Sequence, residues 1–303
     1  MMYLKKALWS EGIESEKGDS EVDVSELVNS LHDQRIYREI TLSLQSGLRD
    51  ARAEFSFLRL RALRSILNFL RSLSHSHSTI HIFNVTQSIP HFQVVPVLFQ
   101  HSLKQTPHHY NDNDDTNSNV GDMSHIFGVE PIKLTTPPTD AEVALALRVL
   151  EGCCLLNPNS AALAHQHNAI QVLMNILSNR RVLEQTACLD ALISLMVDSS
   201  SNQIDFEECN GIMEVSDLIR DKQVDENLRL KCGEFLLLLI GHVNGRDKPP
   251  LATIHDDIRR LLGEKSASLI WAASQFGSTL DPEQRLTALQ IQARRVLESL
   301  DLY

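Results

Sequence analysis

Apolar residues in the first third of the chain follow the three- and four-residue steps of a helix face. Leu60, Leu63, Ile66, Leu67, Leu70 and Leu73 fall on one stripe at ~100° per residue, while Arg61, Arg64, Asn68 and Arg71 fall on the opposite side. That spacing predicts an amphipathic helix with a basic outer face. Further on, Ile80 to Ile89 and Val94 to Leu103 are apolar enough for short helices or strands, punctuated by Pro90 and Pro96, and are read as helical. Thr139-Asp140-Ala141-Glu142 then sets a capping box in front of a long apolar run.

Beyond Thr139 the pattern repeats. Asn168-Ala169-Ile170 and Asn210-Gly211-Ile212 stand 42 positions apart, and at the same offset Leu147 meets Leu189, Leu150 meets Leu192, Leu173 meets Val215 and Leu177 meets Ile219. A third, degenerate unit starts near Leu228, supplies Phe235 to Ile240, and should place companion helices in 253–276. Helical repeats of ~40–47 residues are those of armadillo and HEAT arrays, where each unit buries its apolar face only against a stacked neighbour. The last segment opens with Asp281 as N-cap and Pro282 at the first helical position. Leu286, Leu289, Ala293, Val296 and Leu300 then suit a capping helix better than a coiled coil of two heptads. The expected class is therefore all-α, an armadillo/HEAT-like α-solenoid with a long disordered insertion and a C-terminal capping helix.

Composition refines the boundaries. Seven acids face one lysine between Glu11 and Glu26, so residues 1–26 are expected to be a mobile acidic arm. Residues 27–104 form an N-terminal helical region. The stretch 107–122 holds four Asp and four Asn with almost no apolar anchor, which makes 105–138 a disordered Asn/Asp-rich insertion. Repeats and C-terminal helices fill 139–303. A formal charge of −11 disfavours nucleic acid and anionic lipid surfaces as partners. No apolar run approaches the ~20 residues of a spanning helix, and no signal-peptide pattern follows Lys5 and Lys6, so a soluble protein with no membrane insertion is expected.

Chemistry finds little purchase. Cys153, Cys154, Cys188, Cys209 and Cys232 form no repeated C-x-x-C pattern, and buried, inert thiols in a reducing compartment fit best. His75-x-His77 with His81, His108-His109 and His165-x-His167 lack carboxylate or thiolate partners at zinc-like spacing, so no metal site is expected. There is no G-x-S-x-G, no G-x-x-x-x-G-K-[ST] and no G-x-G-x-x-G. No catalytic residue and no cofactor are assigned. What remains is surface. The third helix of each unit should line a groove, offering Gln171, Met174, Asn175 and Ser178 from the first unit and Glu214, Asp217, Arg220 and Asp221 from the second, with Met174 exposed.

The run from Arg148 to Leu177, then Cys188 to Ile219, then Asn227 to Gly241 resembles the septation-initiation-network component called cell division control protein 14, an armadillo-like regulator unrelated to the phosphatase sharing that label. The resemblance is clear from about Glu142 to Gly241 and looser over Leu27 to Leu73. It rests on Glu151-Gly152, Leu155-Leu156-Asn157-Pro158 with Ser160, the D-x₃-N-x₃-F-E segment from Asp198 through Asn202 to Phe206-Glu207, Gly211, and the R-x-K-x-x-E-F run from Arg229 to Phe235. Physically, Asp198 or Asn202 should cap the helix carrying Phe206, Gly211 should supply a turn, and Lys231 should pair with Glu234 at i,i+3.

The resemblance implies a non-catalytic partner of a germinal-centre (sterile-twenty-like) protein kinase in cytokinesis control, in the cytoplasm and at spindle poles or other microtubule-organising sites. A general armadillo adaptor with another partner is the alternative. Candidate partner-binding residues are Gln171, Met174, Asn175, Asp217, Arg220, Arg229, Lys231 and Glu234.

Overall fold

A computed structural model of the 303-residue chain describes residues 20–104, 136–243, 250–274 and 282–301. Among them there are α-helices and helical turns but no strand. The N-terminal region comprises α1 (Ser20–Ala51), α2 (Ser56–Leu73), α3 (His77–Gln87), a 3₁₀ turn (Pro90–Phe92) and α4 (Val94–Val97), which runs into a π-helical turn (Leu98–Ser102). Two units with the same order follow: α5 (Asp140–Leu156), α6 (Asn159–Gln166) and α7 (Ala169–Asn179), then α8 (Val182–Met196), α9 (Ser200–Glu208) and α10 (Gly211–Arg220). A third comprises α11 (Glu226–Val243), α12 (Ile254–Leu262) and α13 (Glu264–Ser274), and α14 (Pro282–Asp301) closes the array.

The local causes are legible. Leu63, Ile66, Leu70 and Leu73 of the α2 stripe are buried, with Leu60 and Leu67 half-buried. Thr139 Oγ1 accepts from the Glu142 N–H at 3.3 Å and starts α5. The 42-residue repeat has a backbone signature, because Asn168 (φ 53°) and Asn210 (φ 54°) both adopt the left-handed conformation directly before α7 and α10. Asparagine tolerates that region better than most residues. Gly211 therefore does not make the turn; it is helical, and a Cβ there would overlap the ring of Phe206.

The long helices α2, α5, α8 and α11 stack side by side in one direction. Ser56 meets Glu142 near the starts of α2 and α5, while Gly152 lets the later part of α5 approach Leu70. Asp140 pairs with Arg180 just ahead of α8, and Arg148 with Asp190 at the middles of α5 and α8. Asp190 in turn reaches Lys231 of α11, and α14 follows where Ala293 lies against Gly233. The shorter helices form the other side, bridged by His165–Asp205 (2.6 Å) between α6 and α9 and Ser178–Glu214 (2.6 Å) between α7 and α10. One continuous apolar core runs from Ile40 in α1 to Val296 and Leu297 in α14.

Several expectations need correcting. Helix α1 begins at Ser20, so the expected arm boundary at 26 falls inside a helix; once Ile40, Leu44 and Leu48 are packed, adding turns towards the N-terminus needs no new nucleus. Residues 1–19 lie outside the described residues. So do 105–135 of the expected insertion, but its end is tied down, since Thr136 N–H donates to the Glu54 carbonyl at 3.1 Å and Thr136 Oγ1 accepts from Ser56 N–H at 2.7 Å. Asp281, the expected cap of α14, is likewise outside them. In α14, Ala293 and Val296 are buried and Leu289 and Leu300 half-buried, whereas Leu286 is exposed.

A buried ion pair adds a polar contact to the apolar core that the N-terminal region shares with the repeats. Arg59 Nε donates to Glu142 Oε1 at 2.7 Å and Nη2 to Oε2 at 3.2 Å, with side chains 4% and 0% exposed. Nη1 donates to the Ala53 and Glu54 carbonyls and Nη2 also to that of Thr136, so all five guanidinium N–H groups are used. The second half of the expected capping box is thus redirected: the Glu142 carboxylate serves Arg59 and Ser56 rather than the Thr139 N–H.

Removing one member of such a pair strands the other, at about 3–5 kcal/mol. Arg59→Met is expected to lower the unfolding free energy measured by urea titration by that amount, and Arg59→Met with Glu142→Leu to recover much of it. His101, in the π-helical turn, has its pKa lowered by burial and then by Arg59. The fold thus favours the neutral ring. Its contribution is complete above the ordinary histidine value and is lost as pH falls through that value towards the lowered one. Denaturation at pH 7 and pH 5.5 should show a larger stability loss in the parent than in His101→Gln.

Candidate functional site

The outward side of the long-helix row carries three ranks of residues. The middle rank is charged. Arg148 Nη1 of α5 lies 2.5 Å from Asp190 of α8, 42 positions on, and Lys231 Nζ of α11 lies 2.8 Å from the same carboxylate. Glu151 (3.1 Å from Arg148) and Glu234 (3.1 Å from Lys231) complete an alternating ladder across three helices. Burial works against the charge on Arg148 and Lys231, but Asp190, with Glu151 or Glu234 behind it, outweighs that and holds both pKa values above their ordinary positions. Seven residues further on stands an apolar side chain in solvent: Leu155 (71% exposed) in α5, Val197 just past the end of α8, and Leu238 in α11.

The rank near the helix starts is a groove. Leu60 of α2, Leu145 of α5, and Val182 and Leu183 of α8 border a concavity of about 630 Å³ with Arg64 and Arg148 at its edge. The buried Ala144 and Ala187 also line this open concavity.

The sequence-derived residues divide between two faces. Lys231 and Glu234 belong to the ladder, and their expected i,i+3 pair is present. Gln171 and Asn175 of α7 and Asp217 and Arg220 of α10 are exposed, but on the side of the shorter helices. Gln171 Oε1 there accepts from Cys209 Sγ at 3.2 Å. Met174 is not exposed: it is 5% accessible and part of the core. Arg229 is also buried, and its Nε donates to the Ile219 carbonyl at 2.8 Å, closing the C-terminal turn of α10. Lys231 and Glu234 thus lie on the row of α5, α8 and α11, and Gln171, Asn175, Asp217 and Arg220 on the row of α7 and α10.

Other residues quoted from the sequence prove structural. Asn202 is no cap; its Nδ2 donates to the Ala161 and Leu195 carbonyls and to Ser199 Oγ, tying α9 to α6 and α8. Ser199 is the N-cap of α9, and Asp198 before it has φ 57°. Phe206 is fully buried with its ring 5.8 Å from that of Phe235. Sequence reasoning missed the pairs Arg59–Glu142 and Arg148–Asp190. The second had a signal, namely opposite charges one repeat apart.

Burial pushes the Cys154 and Cys232 thiols up to about 12 and raises Cys153, Cys188 and Cys209 as well, which keeps them protonated at neutral pH. His167 stacks on Phe99 at 5.7 Å. Among the described residues no group of three or more His, Cys, Asp or Glu is placed to hold a metal ion, and no helix is long and apolar enough to cross a membrane.

Asp190 is the acid on which the ladder turns. Asp190→Ala is expected to lower stability by about 1.5–3 kcal/mol, as for partly buried charged hydrogen bonds. Asp190→Ala with Lys231→Met should cost less than the sum of the two single changes, measured as urea unfolding midpoints.

Residues 133–245, which span α5 to α11, match the family model described as Cell division control protein 14, SIN component. Neither a curated protein nor a solved structure matches the chain. The family read from the D-x₃-N-x₃-F-E and R-x-K-x-x-E-F residues is therefore the family whose model this chain matches, over the segment that holds its repeat.

Proposed function

We propose that the chain is an armadillo-like α-solenoid that acts as a non-catalytic scaffold for a germinal-centre (sterile-twenty-like) protein kinase in cytokinesis control. It would work in the cytoplasm and at spindle poles or other microtubule-organising sites. The match to a SIN component supports the cell-division setting. One structural observation carries the scaffold reading: the parallel row α2, α5, α8 and α11 turns the 42-residue repeat into a continuous side with charged and apolar ranks at regular steps. Repeat arrays use such extended surfaces for binding rather than for chemistry.

The test is affinity capture of the tagged chain from dividing cells of its own organism, followed by reconstitution with the purified kinase. A germinal-centre kinase should bind the parent directly and with micromolar or better affinity. Failure of every kinase of that class to bind would overturn the reading and leave an adaptor for another partner.

A further inference from the structure

The groove at the helix starts differs from the charged rank in that one of its two cations is uncompensated. No acid lines it. Arg148 at one edge is already held by Asp190 and Glu151, whereas Arg64 at the other has no ion pair or hydrogen bond among the described residues. Around it lie large apolar side chains in solvent. Leu183 is 61% exposed and Val182 40%, and Phe57, one turn before Leu60 on the same side of α2, is 67% exposed. Contiguous apolar surface rimmed by charge marks an interaction site.

We infer that this groove takes a short amphipathic helix from a partner protein, its apolar residues seated on Leu60, Leu145, Val182 and Leu183 and an acidic residue against Arg64. The inference rests on the reading that this face binds a partner. The groove crosses from α2 over α5 to α8, two interhelical steps of ~8–10 Å, which a helix of ~12–14 residues spans at 1.5 Å per residue. Apolar anchors at i, i+3, i+4 and i+7 on one side of that helix then face the floor. Charge selects the occupant's sign. The unpaired guanidinium calls for a carboxylate, and no acid in the lining opposes one.

The test uses the full chain and a fluorescein-labelled 14-residue helical peptide with leucines at those four spacings and flanking glutamates. A lysine-for-glutamate counterpart and a scrambled peptide of the same composition serve as comparisons. Fluorescence anisotropy should show the glutamate peptide binding the parent at least tenfold more tightly than the lysine peptide or the scramble. Leu183→Asp should abolish that binding, and Arg64→Glu should reverse the charge preference. Both residues are exposed, and thermal melts by circular dichroism confirm that the variants are folded. Equal binding of the three peptides, no binding up to millimolar peptide, or an unchanged preference in Arg64→Glu would each overturn the inference. So would a parent dimer in sedimentation velocity that Leu183→Asp dissociates. A kinase that binds the parent and both variants equally refutes the groove but leaves the scaffold reading intact. A kinase that fails to bind even the parent refutes that reading, while the peptide result still decides the groove.

Discussion

Where the N-terminal region meets the repeats, a buried guanidinium gathers the polar contacts around it. Arg59 has no water to solvate it, so its five N–H groups need five acceptors, and they come from three separate stretches: the end of the α1–α2 connection, Thr136, and Glu142 of α5. A lone pair of charges in such a place would be unfavourable; completeness makes this one tolerable. Placement follows from it, because the contact sets α2 beside α5 and thereby extends the long-helix row by one member. The contrast lies one repeat on. Glu184 occupies in α8 the place of Glu142 in α5, yet its buried carboxylate oxygens have no hydrogen-bond partner, and burial, then Asp140, raise its pKa.

Much of the helical framework was legible because it is written in local spacing. The α2 stripe, the Thr139 cap and the 42-residue offset each depend on residues a few turns apart or on a repeated pattern, and each appears in the structure. What failed was the assignment of flanks. Helical spacing says which residues of α7 lie together but not which side α8 will cover, so Met174 looked free and is in the core. The same limit hid Arg59 among Arg61, Arg64 and Arg71: four arginines with similar neighbours, one of them buried.

Close packing also explains why several of the quoted family residues are internal. Phe206, Gly211, Asn202 and Phe235 lie where α9, α10 and α11 converge, with no room for a Cβ at residue 211 and three acceptors for one amide group. They hold the units in register. Exposed apolar side chains stand elsewhere, at Leu155, Val197, Leu238 and Leu183.

The shared direction of α2, α5, α8 and α11 has an electrical consequence. In an antiparallel bundle neighbouring peptide dipoles largely cancel, but here they add, leaving about half a positive charge at each start and half a negative charge at each end. The face is therefore polarised across its width. Asp140, Glu142, Glu184 and Glu226 in the first turns answer the positive edge from within the chain. A helix laid alongside these helices, parallel or antiparallel to them, thus meets a field with a definite sense, so its two orientations are unequal in energy before any side chain touches.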